Sequence, residues 1–527
     1  MPPAPDFLRT APPGTRRPRY DRQAVRTGIV HLGLGAFHRA HQAVHTETVV
    51  EQGDLRWGIV GVELRRRHTV DLLAAQDHLY TVTERDGSGA RARIVGAVHG
   101  ALFAPASLPA LLALIADPGV SIVSLTVTEK GYCRRPCGGL DADDPAIRAD
   151  LATPDAPRTA LGVIAAGLRR RPAGAPLTVL CCDNMTSNGD TLRALLIDYA
   201  ERIDGALARR IRDDVAFPNS MVDRIVPAAT PESLDWAQAH LGARDAAAIV
   251  CEPFSQWVIE DRFAGPRPRW EDAGARIVAD VQPYETMKLR LLNGSHSAIA
   301  YAGQLRGRAT VSDAMADPAI AAFVDGVMTH DLLATVDVPP GFDAHDYCAT
   351  LAQRFGNPML AHRTEQIAMD GTQKVPLRWL PALADSAAAG VERPYLERAL
   401  ALWLHYLTTA RDESGRPLTI SDPGAATLAA TLIAASDASG AVRAALASAA
   451  LAGPAVWPDA LVARVGAYLA TLRAHGTDAL LAPLHDRTTG SPLRREPRDA
   501  LPAGTHAGAA NDRRDMTAGP PARRRRT

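Results

Sequence analysis

Lysine is almost missing from this 527-residue chain: only three of its 58 basic residues are lysine, at Lys130, Lys288 and Lys374. Arginine supplies the ordinary surface cation. Arginine stays protonated at any working pH, whereas a lysine ammonium is compact and loses its proton more readily when desolvated. A site that must give and take a proton can use lysine and cannot use arginine. Net charge is missing as well, with 58 basic against 58 acidic residues. The whole chain therefore gives no electrostatic case for nucleic acid or a membrane surface as partner. No uninterrupted apolar run of about 18 residues occurs, so no transmembrane helix is expected. Residues 1–20 carry no apolar core, so a secretory signal is not expected either. Cysteine is scarce, with 6 in the chain, too few for a disulfide framework. Cys133 and Cys137 lack the second pair or histidine cluster that would complete a zinc site. Cys181 and Cys182 sit in an apolar run and read as packed thiols. The expected setting is a reducing cytoplasm, and no metal is expected.

What is present is an ordinary globular composition, 46% hydrophobic and 22% charged, over a length that suggests two or more domains. Residues 1–25, rich in proline and arginine, are expected to lack structure. At 27-TGIVHLGLGAFHRAHQ-42 an apolar run from Gly28 to Leu32 meets a glycine turn, and a helical stretch follows over about 37–52. Then 57-WGIVGVEL-64 reads as a second strand. Strand, glycine turn, helix, strand is the pattern of a doubly wound parallel sheet. Further strands are expected at 80–84, 120–128, 177–182 and 247–254. Beyond about residue 283 helical periodicity dominates, over 284–304, 318–335, 346–355, 379–388, 394–410, 424–437, 439–451 and 457–474. The fold class is therefore α/β: a Rossmann-type dinucleotide-binding domain over 26–282, then a mostly α-helical domain over 283–487. Residues 488–527 form a Gly/Pro/Arg-rich tail expected to be disordered. Its Arg523–Arg526 run reads as solvated charge without a dedicated role.

Gly33-Leu34-Gly35-Ala36-Phe37-His38 is G-x-G-x-x-H. In a dinucleotide fold the first glycine makes the tight turn and the second lets a pyrophosphate approach the backbone, where a helix N-terminus meets its charge. His38 stands in place of the third glycine. Glu63, ending the second strand, is placed to bond ribose hydroxyls, which favours NAD. Arg65, Arg66 and Arg67 follow at once and offer a 2′-phosphate an alternative, so NADP stays open. The candidate cofactor contacts are Gly33, Gly35, Phe37, His38, Glu63 and Thr128.

Around Lys288 the segment reads 288-KLRLLNGSHS-297. On an α-helix Glu285, His296 and Asn293 lie about 60°, 80° and 140° from Lys288, so all four share one face. The chemistry is coherent. A desolvated lysine protonates a carbonyl oxygen or deprotonates an alcohol, an asparagine amide holds the developing oxyanion, and a glutamate passes the proton to solvent. Asn184, just beyond the strand 177–182, is a second oxyanion donor, because ligands of open α/β sheets bind beyond strand C-termini. Asp223-Arg224 in 217-FPNSMVDRIVP-227 reads either as a structural ion pair or as a substrate contact.

Taken together these segments resemble the mannitol dehydrogenase family, the polyol-specific long-chain dehydrogenases. The resemblance runs from about residue 27 to about 480 and rests on GIVHLGLGAFHRAHQA, SLTVTEKGYC, CDNMTSNG, FPNSMVDRIVPAAT, CEPFSQWVIED, the K-x4-N-x2-H of Lys288, Asn293 and His296, and QIAMDGTQK. It implies zinc-independent hydride transfer with NAD, Lys288 as general acid/base, and Asn184 and Asn293 holding the reacting oxygen. It implies His296 and Asp223 on the substrate, Glu285 as proton relay and Lys374 as a substrate-binding lysine. It also implies a monomer. At Gln366, another substrate-site position, mannitol-oxidising members carry an arginine. TEKGYC, NGSHS and QIAMDG look more like the fructuronate reductases (D-mannonate oxidoreductases), which reduce a keto-uronate with NADH. Lys130 would then help bind the carboxylate. The alternative within the family is a mannitol 2-dehydrogenase or another polyol dehydrogenase acting on a neutral substrate. Outside it stands a nucleotide-binding regulator without catalysis, against which the intact Lys-Asn-His set argues. A binding module working through the basic tail is the weakest alternative.

Overall fold

The computed structural model describes residues 5–135, 138–360, 362–451 and 456–484. The tail expected over 488–527 lies outside the described residues. At the centre is a six-stranded parallel sheet, ordered Val98–Phe103, Gly58–Glu63, Thr27–Leu32, Ile122–Leu125, Leu177–Cys181, Val215–Ala216. In order of entry this is 3-2-1-4-5-6, the doubly wound arrangement in which the chain reverses its direction of travel beside the first strand. Such strands are apolar on both faces because helices cover both. Val30 and Leu32 face a core shared with Leu111, Leu161 and Leu196, while Ile29 faces one shared with Trp57, Ile59 and Trp257. The expected helix over 37–52 is broken at His41 (φ −122°, ψ −86°) into Ala36–Ala40 and Gln42–Glu51.

Two of the expected strands do not join this sheet. Tyr80–Asp86 pairs antiparallel with Gly89–Val95 and parallel with Ile249–Cys251 in a separate three-stranded sheet. A third sheet pairs Gln256–Glu260 with Ser220–Asp223 and Arg276–Val278, setting Gln256 opposite Asp223. Residues 5–25 depart from the expectation that they lack structure. Phe7 is fully buried beside Leu79, Ile94 and Leu241. The Ile94 amide donates to the Arg16 carbonyl at 2.8 Å, and Arg17 donates to the Leu8 and Ala11 carbonyls. One aromatic anchor suffices to order a segment whose average composition reads as disordered.

From Gln282 onward the described chain is helical. Gln282–Met287, Lys288–Gly294 and Ser295–Leu305 form one continuous rod. Its middle third is wound as a π-helix, with i→i+5 bonding. Pro394–Thr409 and Asp459–His475 pack into a core that holds Trp379, Trp403, Leu400 and Leu469. The short helices Val311–Met315, Thr364–Ala368 and Gly371–Arg378 are too brief to establish a periodicity in the sequence. Among the described residues no helix is long and apolar enough to cross a membrane.

Candidate active site

The rod carries Lys288 into the interior, where it is 8% exposed. Its Nζ donates to Asn184 Oδ1 at 2.8 Å and to the Val222 carbonyl at 2.6 Å. Three elements therefore converge on one ammonium: the loop after strand Leu177–Cys181, strand Ser220–Asp223 and the π-turn. Burial holds the Lys288 pKa below its ordinary value, Asp223 opposes the shift, and Arg354 and Arg378 add to it. One turn earlier, Glu285 Oε2 accepts from the Ser187 amide at 3.1 Å while Oε1 is buried without a partner. Burial pushes its carboxyl up to about 7. His296 is buried against Phe355, with ring centroids 4.6 Å apart, and its Nε2 has no partner. Desolvation holds it neutral. In a π-turn five residues make little more than one revolution. Asn293, five residues on, thus ends nearer the Lys288 face than the roughly 140° offset of an α-helix would leave it.

Asp223 is buried but does not pair with Arg224, which corrects one of the two readings of that dipeptide. Both Asp223 oxygens accept from Arg354, at 2.8 and 2.9 Å, and Arg354 also grips both oxygens of Glu252. Arg224 instead donates to Glu84 and to the Ala40 and Glu252 carbonyls. Lys374 is half-buried and donates to the Ile367 carbonyl at 3.2 Å. Burial lowers its pKa, with Arg378 adding to the effect. Lys130 and Gln366 are exposed. Arg354, Glu252 and Arg378 went unassigned in the sequence, since nothing local sets one arginine apart among so many.

At the glycine turn Gly33 has φ +97°, and a Cβ there would sit 2.1 Å from the Thr126 carbonyl oxygen. Gly35 precedes Ala36–Ala40 with open space where a Cβ would be. Phe37 is half-buried and stacked on His41 at 5.1 Å. His38 lies beneath the turn, 1% exposed and stacked on His31 at 3.3 Å. Glu63 ends its strand half-buried, its pKa raised by burial and eased by Arg39 and Arg66. Thr128 (φ 66°, ψ 158°) occupies a backbone region that is essentially glycine's own. Asp183 holds it there by accepting from the Val127 and Thr128 amides and the Tyr132 hydroxyl.

Residues 27–272 match the family model of the mannitol dehydrogenase Rossmann domain, and residues 280–471 that of the mannitol dehydrogenase C-terminal domain. The chain is 44% identical over 414 residues to the D-mannonate oxidoreductase of Escherichia coli (strain K12), covering 77% of this chain and 86% of that one. It is 43% identical over 412 residues to the mannitol 2-dehydrogenase of Cereibacter sphaeroides, again covering 77% and 86%. The mannitol 2-dehydrogenase of Pseudomonas fluorescens, solved in ternary complex with NAD and D-mannitol, superposes with a TM-score of 0.79 at 37% identity, over 91% of this chain and 99% of that one. Overall identity does not choose between the two substrates these names carry.

Proposed function

The chain belongs to the mannitol dehydrogenase family, and from that premise we propose that it is a fructuronate reductase, converting D-fructuronate to D-mannonate with NADH as a cytoplasmic monomer. The observation that carries the chemistry is the buried Lys288 ammonium fixed by Asn184 and the Val222 carbonyl. The residues at the switch point of the sheet fit a dinucleotide. Gly33 allows the turn, Gly35 leaves its backbone open to a pyrophosphate, and Glu63 suits ribose hydroxyls. Phe37 and Thr128 border this cradle, and His38 supports it from below. Arg65 and Arg66, exposed beyond Glu63, keep NADP as the alternative.

Bound NADH supplies the hydride that reduces the substrate carbonyl carbon. Lys288 donates the proton to the carbonyl oxygen, which burial makes easier by favouring its neutral form. The Asn184 and Asn293 amides hold the oxygen as charge develops on it. Glu285, poised near neutrality, returns a proton from solvent to Lys288. His296 takes a substrate hydroxyl on its free Nε2. Asp223, gripped by Arg354, acts on Lys288 through its charge. Lys374 and Gln366 serve the far end of the substrate, and the exposed Lys130 attracts the anion from outside the site. Gln366, where mannitol-oxidising relatives carry arginine, favours the uronate. A mannitol 2-dehydrogenase is the second reading, favoured by 43% identity to one such enzyme and the superposition on another.

NADH oxidation by the purified protein, with D-fructuronate and D-fructose side by side, separates them. Strong turnover of the uronate is expected, falling by about 10²–10⁴-fold in Lys288→Ala. Preference for fructose replaces the reading with the mannitol 2-dehydrogenase.

A further inference from the structure

Arg378 ends the helix Gly371–Arg378, four residues after Lys374. Its Nη1 donates to the Asn293 carbonyl at 3.2 Å and to Ser297 Oγ at 2.8 Å. It is thereby tied to the same rod, between Lys288 and His296 and the rest of Ser295–Leu305. No hydrogen bond to a described residue leaves Nε or Nη2, and no Asp or Glu among the described residues is ion-paired with it. Arg354 nearby is the contrast, with all three of its nitrogens donating to two carboxylates. Burial pulls the Arg378 pKa down to about 10. Its charge is felt by Lys288, His296 and Lys374, so it stands within the site. The one carboxylate acting on it is Glu129, itself exposed. The site thus gathers Lys288, Lys374 and Arg378, while Asp223 is already committed to Arg354.

We infer that Arg378 is the residue that selects an acid substrate, taking the sugar carboxylate side-on through its Nε–Nη2 edge with the Lys374 ammonium alongside. A guanidinium presents parallel donors that match a carboxylate's two oxygens, and such charge-assisted pairs are the strong ones. A neutral ketose or polyol leaves that edge without an anion. Lys130, exposed on Glu129–Tyr132, then serves at most the approach of the anion and not its seat. The inference deepens the keto-uronate reading and rests on it.

The test compares wild type, Arg378→Met, Arg378→Lys and Lys130→Met in two assays. The first measures kcat/KM for D-fructuronate and D-fructose. The second measures inhibition by D-mannonate and by D-mannitol. NADH binding by fluorescence certifies that each variant is folded. In Arg378→Met, kcat/KM for the uronate and affinity for mannonate should fall about a hundredfold. Fructose turnover and mannitol inhibition should fall only a few-fold, from the lost support of Asn293. Arg378→Lys should recover part of the acid preference, and Lys130→Met should change it by less than about threefold. Equal losses for acid and neutral ligands would make Arg378 a brace of the helix and overturn the inference. So would an unchanged preference. If wild type favours fructose, the keto-uronate reading falls on the first assay. The inhibition ratio then still decides whether Arg378 reads a carboxylate.

Discussion

Glu285 and Lys288 are both kept in surroundings that disfavour their charge. For Glu285 the folded pKa is raised from 4.5 to about 7. The stability this gives is fully present below the unfolded value and is lost as pH rises through about 7. Glu285→Gln should therefore raise stability at pH 8 by about 2 kcal/mol, allowing for its part exposure, and by little at pH 4. Chemical denaturation at the two pH values checks this. If Glu285 is the relay proposed above, the same variant should also flatten the limb of the kcat profile near neutrality. A gain in stability together with a loss in turnover marks a site kept strained for use. Lys288 itself was legible in the sequence, since its rarity and its polar neighbours singled it out. Arg354 and Arg378 were not. Their meaning lies in which carboxylates they meet or fail to meet, and that is a matter of tertiary distance.

At the scale of elements the sequence shows four of the six strands of the central sheet, leaving out Val98–Phe103 and the two-residue Val215–Ala216, and every long helix beyond residue 283. Long apolar runs and sustained periodicity are local signals. It did not show that Tyr80–Asp86 leaves the parallel sheet, because pairing partners are chosen by tertiary packing. Nor did it show the π-turn over Lys288–Gly294, since the extra width depends on what fills the space beside it. The composition of the N-terminal segment hides its order, which should hang on one side chain. Phe7→Ala removes the centre of the cluster with Leu79, Ile94 and Leu241 and should cost about 3 kcal/mol. It should also open residues 5–25 to proteolysis while leaving KM for the sugar unchanged. Limited trypsin digestion at the neighbouring Arg16 and Arg19 reads this directly, and persistent protection in the variant counts against the anchor.

Across the whole molecule, Arg354 on helix Ala344–Phe355 clasps Asp223 and Glu252, which belong to the strand-rich part of the chain. Arg354→Met leaves two buried carboxylates without their partner and should cost about 3–5 kcal/mol. It should also act on the chemistry. Removing a cation and freeing Asp223 both favour the charged form of Lys288, so its pKa rises. The limb of the oxidation rate that depends on a neutral lysine then moves to higher pH. A profile that only shrinks, without moving, would reduce Arg354 to a structural clasp.

An ammonium has three protons to give. Two of those on Lys288 are spoken for by Asn184 and the Val222 carbonyl, so a single direction is left open. A substrate oxygen can meet that proton only along that direction, so its position is set before the rest of the substrate is held. The pair of bonds that holds the lysine still is therefore also what would fix the position of the reacting oxygen, and on the proposed chemistry that position, together with the side from which hydride comes, would decide which epimer of the alcohol leaves.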